Sequence, residues 1–134
     1  MKSVKLSDDL NIKVHGRTNG NRNPVTLFWT GSAVEINIKA STLSVLLEGP
    51  YDIYENWIAI EVNGAVVQRL MLTGEKQWIP VFRMMNPNKI TNVRIIKEVQ
   101  AMNGDASHCL KIHEIRHDGE TVPVKDRELK IEFI

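Results

Sequence analysis

The sequence contains little of several features that would narrow its function directly. Cys109 is the only cysteine, so the chain cannot form an internal disulfide. Its apolar neighbours predict a buried, unreactive thiol. No apolar run approaches the roughly 18 residues that a membrane-spanning helix needs. The amino terminus also lacks the apolar stretch of a signal peptide.

Neither sign of charge is in excess. The 134 residues include 17 basic and 16 acidic side chains, which gives a net charge of +1. A chain with this balance has no strong electrostatic field to attract nucleic acid or an anionic membrane surface. We therefore expect it to bind neither of them.

Motifs for catalysis and cofactor binding are also missing. The sequence contains neither of the glycine-rich signatures for nucleotide binding, G-x-x-x-x-G-K-[ST] and G-x-G-x-x-G. No serine stands in a G-x-S-x-G nucleophile elbow. Ser32 comes nearest, within Thr30-Gly31-Ser32-Ala33, but the second glycine is absent and turn formation explains Gly31 and Ser32. We expect no catalytic residue and no cofactor in this chain.

One metal-binding motif does occur, because residues 113–117 read His-Glu-Ile-Arg-His, the H-E-x-x-H pattern of zinc peptidases. Both imidazoles reach one zinc ion only when the motif is helical, since the same spacing on a strand spans about 13 Å. Leu110 and Ile112 alternate with polar residues just before it, which predicts a strand. A metallopeptidase site is therefore not expected.

The chain itself reads as β-structure throughout. Val34, Ile36 and Ile38 alternate with polar residues, which predicts a half-buried strand with these three side chains in the core. Asn63-Gly64 predicts a type I′ hairpin, and Pro80 predicts an edge strand. Similar short runs recur up to residue 119 without a convincing helix. We predict an all-β fold, an antiparallel β-sandwich of jelly-roll type with eight or nine strands.

Four aromatic residues are candidates for binding a glycan, namely Trp57, Trp78, Tyr51 and Tyr54. The alternation in their segments places Trp57 opposite Ile58 and Trp78 opposite Ile79, so both tryptophans should face outward if the isoleucines are buried. An exposed aromatic patch marks either a ligand site or a partner domain. The alternative is that the tryptophans fill the core or a domain interface.

Three segments carry a resemblance to a known family, namely residues 15–17 (HGR), 27–37 (LFWTGSAVEIN) and 129–134 (LKIEFI). Together they resemble the amino-terminal part of carbohydrate esterase family 2, whose members are similar to acetylxylan esterases. The resemblance implies a jelly-roll domain at 1–119, a linker at 120–128 and, at 129–134, the first strand of an absent hydrolase domain of the SGNH type. Without its parallel neighbours that strand is expected to be disordered or to pair with an open sheet edge, including that of a second copy.

The resemblance also implies a role. The catalytic serine of such an enzyme would lie beyond residue 134, so the chain is expected to be a non-catalytic accessory domain that packs on the hydrolase domain and helps to form the cleft for plant polysaccharide. The alternative is an independent carbohydrate-binding module that uses exposed tryptophans. For the parent enzyme we expect an extracellular or periplasmic location.

Overall fold

The structure is a computed structural model, which describes residues 2–6, 11–15, 18–22, 25–27, 31–49, 56–72, 75–98 and 109–124. These residues contain no α-helix and form twelve β-strands. The strands are β1 Lys2–Lys5, β2 Lys13–His15, β3 Thr18–Arg22, β4 Val25–Leu27, β5 Ala33–Lys39, β6 Leu43–Glu48, β7 Asn56–Val62, β8 Ala65–Leu72, β9 Gln77–Phe82, β10 Thr91–Lys97, β11 Leu110–His117 and β12 Glu120–Val122.

The strands form two six-stranded sheets, and within each sheet all neighbouring strands pair antiparallel. The first sheet has the order β3-β4-β11-β6-β9, and β1 pairs with β11 beyond the end of β4. The second sheet has the order β12-β5-β10-β7-β8, and β2 pairs with β5 beyond the end of β12. Together they form the predicted jelly-roll sandwich, so the fold class is confirmed.

The core lies between the sheets and is built from alternate residues of the long strands. Val34, Ile36 and Ile38 of β5 are at most 1 % exposed, as predicted. In β10, Val93 and Ile95 are fully buried in the same way. Each such side chain contributes roughly 1.5–3 kcal/mol to the free energy of unfolding through burial. The alternation therefore fixes which side of each strand faces the solvent.

The described strands outnumber the predicted eight or nine because several short strands lie at the sheet edges. β3 falls within residues 16–24, whose glycine, asparagine and proline content predicts a loop, and β12 falls in the predicted linker 120–128. Such strands carry few apolar residues, so alternation cannot reveal them. β12 extends the sandwich to Val122. The position of the predicted domain boundary stays a prediction, and residues 129–134 lie outside the described residues.

Two local predictions about the β-structure are confirmed. Asn63 and Gly64 have φ angles of 52° and 86°, and they join β7 to β8. Positive φ at both central residues is the requirement of a type I′ turn. Pro80 lies in β9, which is an edge strand of the first sheet. An edge is where a residue without an N–H group is tolerated.

Gly119 is required by close packing between the β11–β12 turn and the end of β5. A Cβ atom at this position would overlap the carbonyl oxygen of Lys39 and would lie 2.9 Å from Ala40 Cα. Both neighbours are backbone, so they cannot move aside easily. We expect Gly119→Ala to lower the free energy of unfolding by about 2 kcal/mol or more in urea titrations.

The matched control for this substitution is Gly64→Ala. Gly64 also lies in a turn, but a Cβ there would meet nothing within 4 Å, and only its positive φ is unfavourable for alanine. This variant should lose about 1 kcal/mol. An equal loss in the two variants would show that steric overlap at Gly119 is not the reason for the glycine.

Candidate functional site

Trp57 is the most exposed of the predicted site residues that the structure describes. It lies in β7 on the outer face of the second sheet, because Ile58 and Ile60 are buried between the sheets. Its side chain is 38 % exposed, and it lies opposite Met71 of β8, which is 41 % exposed. The two side chains form an apolar surface at one end of the sheet, which we call the Trp57 surface. The predicted burial of Ile58 and the predicted outward direction of Trp57 are both confirmed.

An ion pair borders this apolar surface. Arg69 Nη2 lies 3.3 Å from Glu98 Oε2, and the backbone N–H of Glu98 donates to the carbonyl oxygen of Trp57 at 3.0 Å. The arrangement places an aromatic ring next to both a hydrogen-bond donor and an acceptor. Binding sites for small polar molecules combine an apolar surface with a few placed polar groups in this way. A sugar ring, with an apolar face and hydroxyl groups at its rim, has matching chemistry.

Trp78 also faces outward, but from the other sheet. It lies in β9 opposite Leu46 of β6, while Ile79 and Val81 are buried. The Arg116 guanidinium carbon lies 4.1 Å from the centre of the Trp78 ring, and Arg116 Nε donates to Ser3 Oγ at 3.2 Å. One face of the Trp78 ring is therefore already covered by a cation–π contact.

The two tryptophans cannot contribute to one binding platform, because they lie on opposite outer faces of the sandwich. Tyr51 and Tyr54 lie outside the described residues. A glycan-binding role for any of the four stays a prediction, and Trp57 has the more accessible ring environment.

A second polar group of residues, which the sequence patterns did not reveal, surrounds Glu35 on the outer face of the second sheet. Glu35 Oε1 lies 2.6 Å from His15 Nε2 and 3.5 Å from Arg94 Nη2. Asn92 donates through Nδ2 to Glu35 Oε2 at 2.7 Å and to Asn37 Oδ1 at 2.7 Å. These five residues, which we call the Glu35 cluster, join β2, β5 and β10.

The Glu35 cluster holds its carboxylate in the charged form. Burial alone raises the pKa of Glu35, since the residue is only 7 % exposed. The hydrogen bonds from Asn92 and His15 and the charge of Arg94 together outweigh burial, so the pKa lies below its ordinary value. The acceptor atoms of the carboxylate are used within the protein, which indicates a structural role.

The H-E-x-x-H residues are separated by the strand that carries them. β11 has a bulge between Ile112 and Glu114, so His113 and Glu114 both face outward while His117 is buried. His113 Nε2 lies 2.9 Å from Glu48 Oε1, and His117 Nδ1 accepts from the Gly119 N–H at 3.2 Å. The predicted strand is confirmed, and the two imidazoles of the motif do not face one site.

Ser32 and Cys109 are both buried. Ser32 is 4 % exposed, and its carbonyl oxygen accepts from the Lys97 N–H at 2.9 Å. Cys109 is 5 % exposed, and burial raises the pKa of its thiol, which disfavours the reactive thiolate. Burial of Cys109 was predicted. The complete burial of Lys97, on the core side of β10, was not, because a lysine in an alternating strand is normally placed at the surface.

Metal-binding clusters and membrane-spanning helices are both absent from the described residues. Among the residues that the structure describes, no group of three or more histidine, cysteine, aspartate or glutamate side chains is placed to hold a metal ion. In the same part of the chain, no helix is long and apolar enough to cross a membrane.

Solved structures that this chain resembles include carbohydrate esterases and a carbohydrate-binding module. An acetyl xylan esterase from the rumen bacterium Butyrivibrio proteoclasticus is 33 % identical with a TM-score of 0.89, and the match covers 96 % of this chain and 35 % of that one. A family two carbohydrate esterase from Cellvibrio japonicus is 19 % identical with a TM-score of 0.75, over 93 % of this chain and 36 % of that one. The chain thus spans about a third of the length of these esterases.

A carbohydrate-binding module of family 36, solved with calcium and xylotriose, has the same fold at 13 % identity. Its TM-score is 0.59, and the match covers 88 % of this chain and all of that one. Comparison with curated protein sequences finds no match. The family model for the carbohydrate esterase 2 N-terminal domain matches residues 14–122. The chain belongs to this family, which confirms the resemblance.

The charged state of Glu35 should make the free energy of unfolding depend on pH. Glu35→Gln should lower the free energy of unfolding by about 1–3 kcal/mol, because the charged acceptor of Asn92, His15 and Arg94 is lost. The folded-state pKa of Glu35 is lowered, so its contribution is complete above the unfolded pKa of about 4.3 and is lost as the pH falls through the folded value. The difference between wild type and variant should therefore shrink between about pH 5 and about pH 2.5.

Glu120→Gln is the control, because Glu120 is an exposed residue of β12. It should change the free energy of unfolding by less than about 0.5 kcal/mol. Urea titrations at the two pH values measure both variants. If Glu35→Gln lowers the free energy of unfolding by the same amount at both pH values, Glu35 is not the charged centre of the cluster.

Proposed function

We propose that this chain acts as the non-catalytic amino-terminal domain of an acetylxylan esterase and packs on the hydrolase domain of the same polypeptide. The observation that carries the proposal is the match to the Butyrivibrio proteoclasticus acetyl xylan esterase, which covers 96 % of this chain but only 35 % of that enzyme. The family model, which describes an amino-terminal domain, supports the same assignment over residues 14–122.

Three of the four serines of the described residues support a role without catalysis. The hydroxyl of Ser3 accepts from Arg116, and the hydroxyl of Ser41 donates to the Asp118 carboxylate. Ser32 is buried. A serine nucleophile needs a histidine within hydrogen-bonding reach and an accessible oxygen, and these three serines are engaged or enclosed instead. Hydrolysis in such a polypeptide would belong to the other domain.

We expect no hydrolysis of an aryl acetate above the buffer rate by the pure 134-residue chain. The full-length polypeptide, assayed beside it, should hydrolyse the ester and provides the positive control. Release of the aryl alcohol, followed by absorbance, measures both. Turnover by the chain alone that disappears in Ser32→Ala would place a nucleophile in this domain and overturn the proposal.

A second candidate function is glycan binding at the Trp57 surface, and one observation favours it. Trp57 and Met71 are exposed side by side and bordered by the Arg69–Glu98 ion pair. Stacking of a sugar on the indole would bury apolar surface, while the ion pair would offer a donor and an acceptor to the hydroxyl groups. The ligands to test are xylo- and manno-oligosaccharides, since structures of similar fold have been solved with xylotriose and with mannopentaose.

Trp57→Ala should weaken binding of such oligosaccharides about tenfold, because the stacking surface is lost. Trp78→Ala should leave the affinity within about twofold, since Trp78 lies on the opposite face. Calorimetric titration is the measurement, because removal of a tryptophan also removes a fluorophore. If the wild-type chain does not bind at millimolar sugar, glycan binding is ruled out and only the proposed packing on the hydrolase domain remains.

A further inference from the structure

Among the described residues, β8 is the longest strand at a sheet edge. It has eight residues, and within the described part of the chain only β7 pairs with it. The side chains of Val66, Val67 and Met71 are between 41 % and 51 % exposed, and the strand contains no lysine, proline or glycine. A long apolar edge strand presents unpaired backbone N–H and C=O groups to which a further strand can bind.

The other edge strands of the described residues have features that oppose such pairing. β9 contains Pro80, whose carbonyl oxygen accepts from Gln68 Nε2 at 2.8 Å. β2 and β12 have three residues each, β3 has no apolar residue, and β1 begins and ends with lysine. Short length, proline and lysine are the usual means by which proteins protect sheet edges. The contrast indicates that β8 is an edge available for pairing.

The chain continues from the other side of the sandwich. In the second sheet β12 and β8 lie at opposite edges, with β5, β10 and β7 between them. Four strand spacings correspond to roughly 19 Å. Whatever follows β12 therefore begins at the edge farthest from β8, and the β8 edge is left open to another molecule.

A bulge limits the part of β8 that can pair regularly. Val67 has no opposite residue on β7, so it is the extra residue of the bulge. Over residues 68–72 the register is regular. Met71 lies opposite Trp57, whose side chain faces outward, so Met71 and Arg69 face outward and the even-numbered residues face the inner side.

This segment is complementary to itself in one register. An axis of two-fold symmetry at Gln68 would oppose Leu70 to Val66, which lies beyond the bulge on the outer side. An axis at Arg69 would oppose two guanidinium groups, which is unfavourable. An axis at Met71 would leave only residues 70–72 of the described strand in the ladder. With the axis at Leu70, each leucine faces its copy and each Arg69 lies opposite Met71, so no like charges are opposed.

We propose that two copies of this chain pair antiparallel through β8 with Leu70 at the two-fold axis, and that each copy contributes Arg69 to the Trp57 surface of the other. The axis is perpendicular to the sheet, so both Trp57 surfaces lie on one face of a continuous sheet. Arg69 of the second copy lies opposite Met71, which itself lies opposite Trp57. The Arg69 side chain is 66 % exposed, so it is free to extend across the interface.

The pairing also brings the two Trp57 residues near each other. They are three strand spacings apart and are offset by two residues, so their Cα atoms lie roughly 16 Å from one another. This consequence rests on the second candidate function, glycan binding at the Trp57 surface. A xylohexaose is long enough to reach both surfaces, whereas xylotriose covers one. Binding to two surfaces at once strengthens the binding of the longer sugar and favours the dimer.

Sedimentation equilibrium of the 134-residue chain tests the dimer. Pairing of one edge strand buries less area than an interface of standard size, so we expect a dissociation constant in the range of about 10–100 μM. A wild-type chain that is still monomeric at about 1 mM would overturn the proposal.

Substitutions of Met71 test the register. Met71→Lys places an ammonium group opposite Arg69 of the second copy, twice by symmetry, and should raise the dissociation constant about tenfold. Met71→Glu places the opposite charge there and should lower the constant about threefold. Met71 is 41 % exposed, so both variants should fold like the wild type, which circular dichroism checks. Arg69→Glu added to Met71→Lys opposes unlike charges again and should restore the dimer.

Val66→Lys is the matched control, because Val66 is 50 % exposed on the same strand but lies outside the paired segment. It should change the dissociation constant by less than about twofold. A dimer weakened as much by Val66→Lys as by Met71→Lys, or one that the double variant does not restore, would overturn the register with Leu70 at its axis.

Xylohexaose and xylotriose test the shared surface. Xylohexaose should lower the dissociation constant of the dimer several-fold, whereas xylotriose at the same concentration should leave it unchanged. If calorimetry detects binding of xylohexaose but the dimer is not strengthened, the shared surface is overturned and glycan binding at Trp57 stands. The proposed packing on a hydrolase domain does not depend on any of these results.

Discussion

The burial of one side-chain row on each of the strands β5, β6, β7, β9, β10 and β11 is the constraint on which the rest of this structure depends. Ile58 and Ile60 must point between the sheets, so Trp57 has to point outward. The same rule applied to Ile79 and Val81 turns Trp78 outward from the other sheet. Because inner rows are used for packing, a ligand or a partner can be recognised only on the outer faces or at the ends of the sandwich.

The outer face of the second sheet is itself divided. Over β2, β5 and β10 the Glu35 cluster satisfies its polar atoms internally, with Asn92 donating to both Glu35 and Asn37. Buried polar groups that are satisfied in this way specify the pairing of strands and offer little to a ligand. Over β7 and β8 the face is different, because Trp57 and Met71 are exposed. Exposure and hydrogen-bond satisfaction, and not residue type, separate the structural part of this face from the candidate binding part.

Much of the fold could be predicted from local patterns, because alternation and turn residues are local properties. The core positions of β5, the Asn63-Gly64 hairpin and the edge position of Pro80 all follow from a few neighbouring residues. What depends on distant residues could not be predicted. The Glu35 cluster needs the register of β2 and β10 on β5, and the cation–π contact needs Arg116 beside Trp78. The bulge in β11, which buries His117 while His113 faces outward, leaves no trace in the alternation of the motif itself.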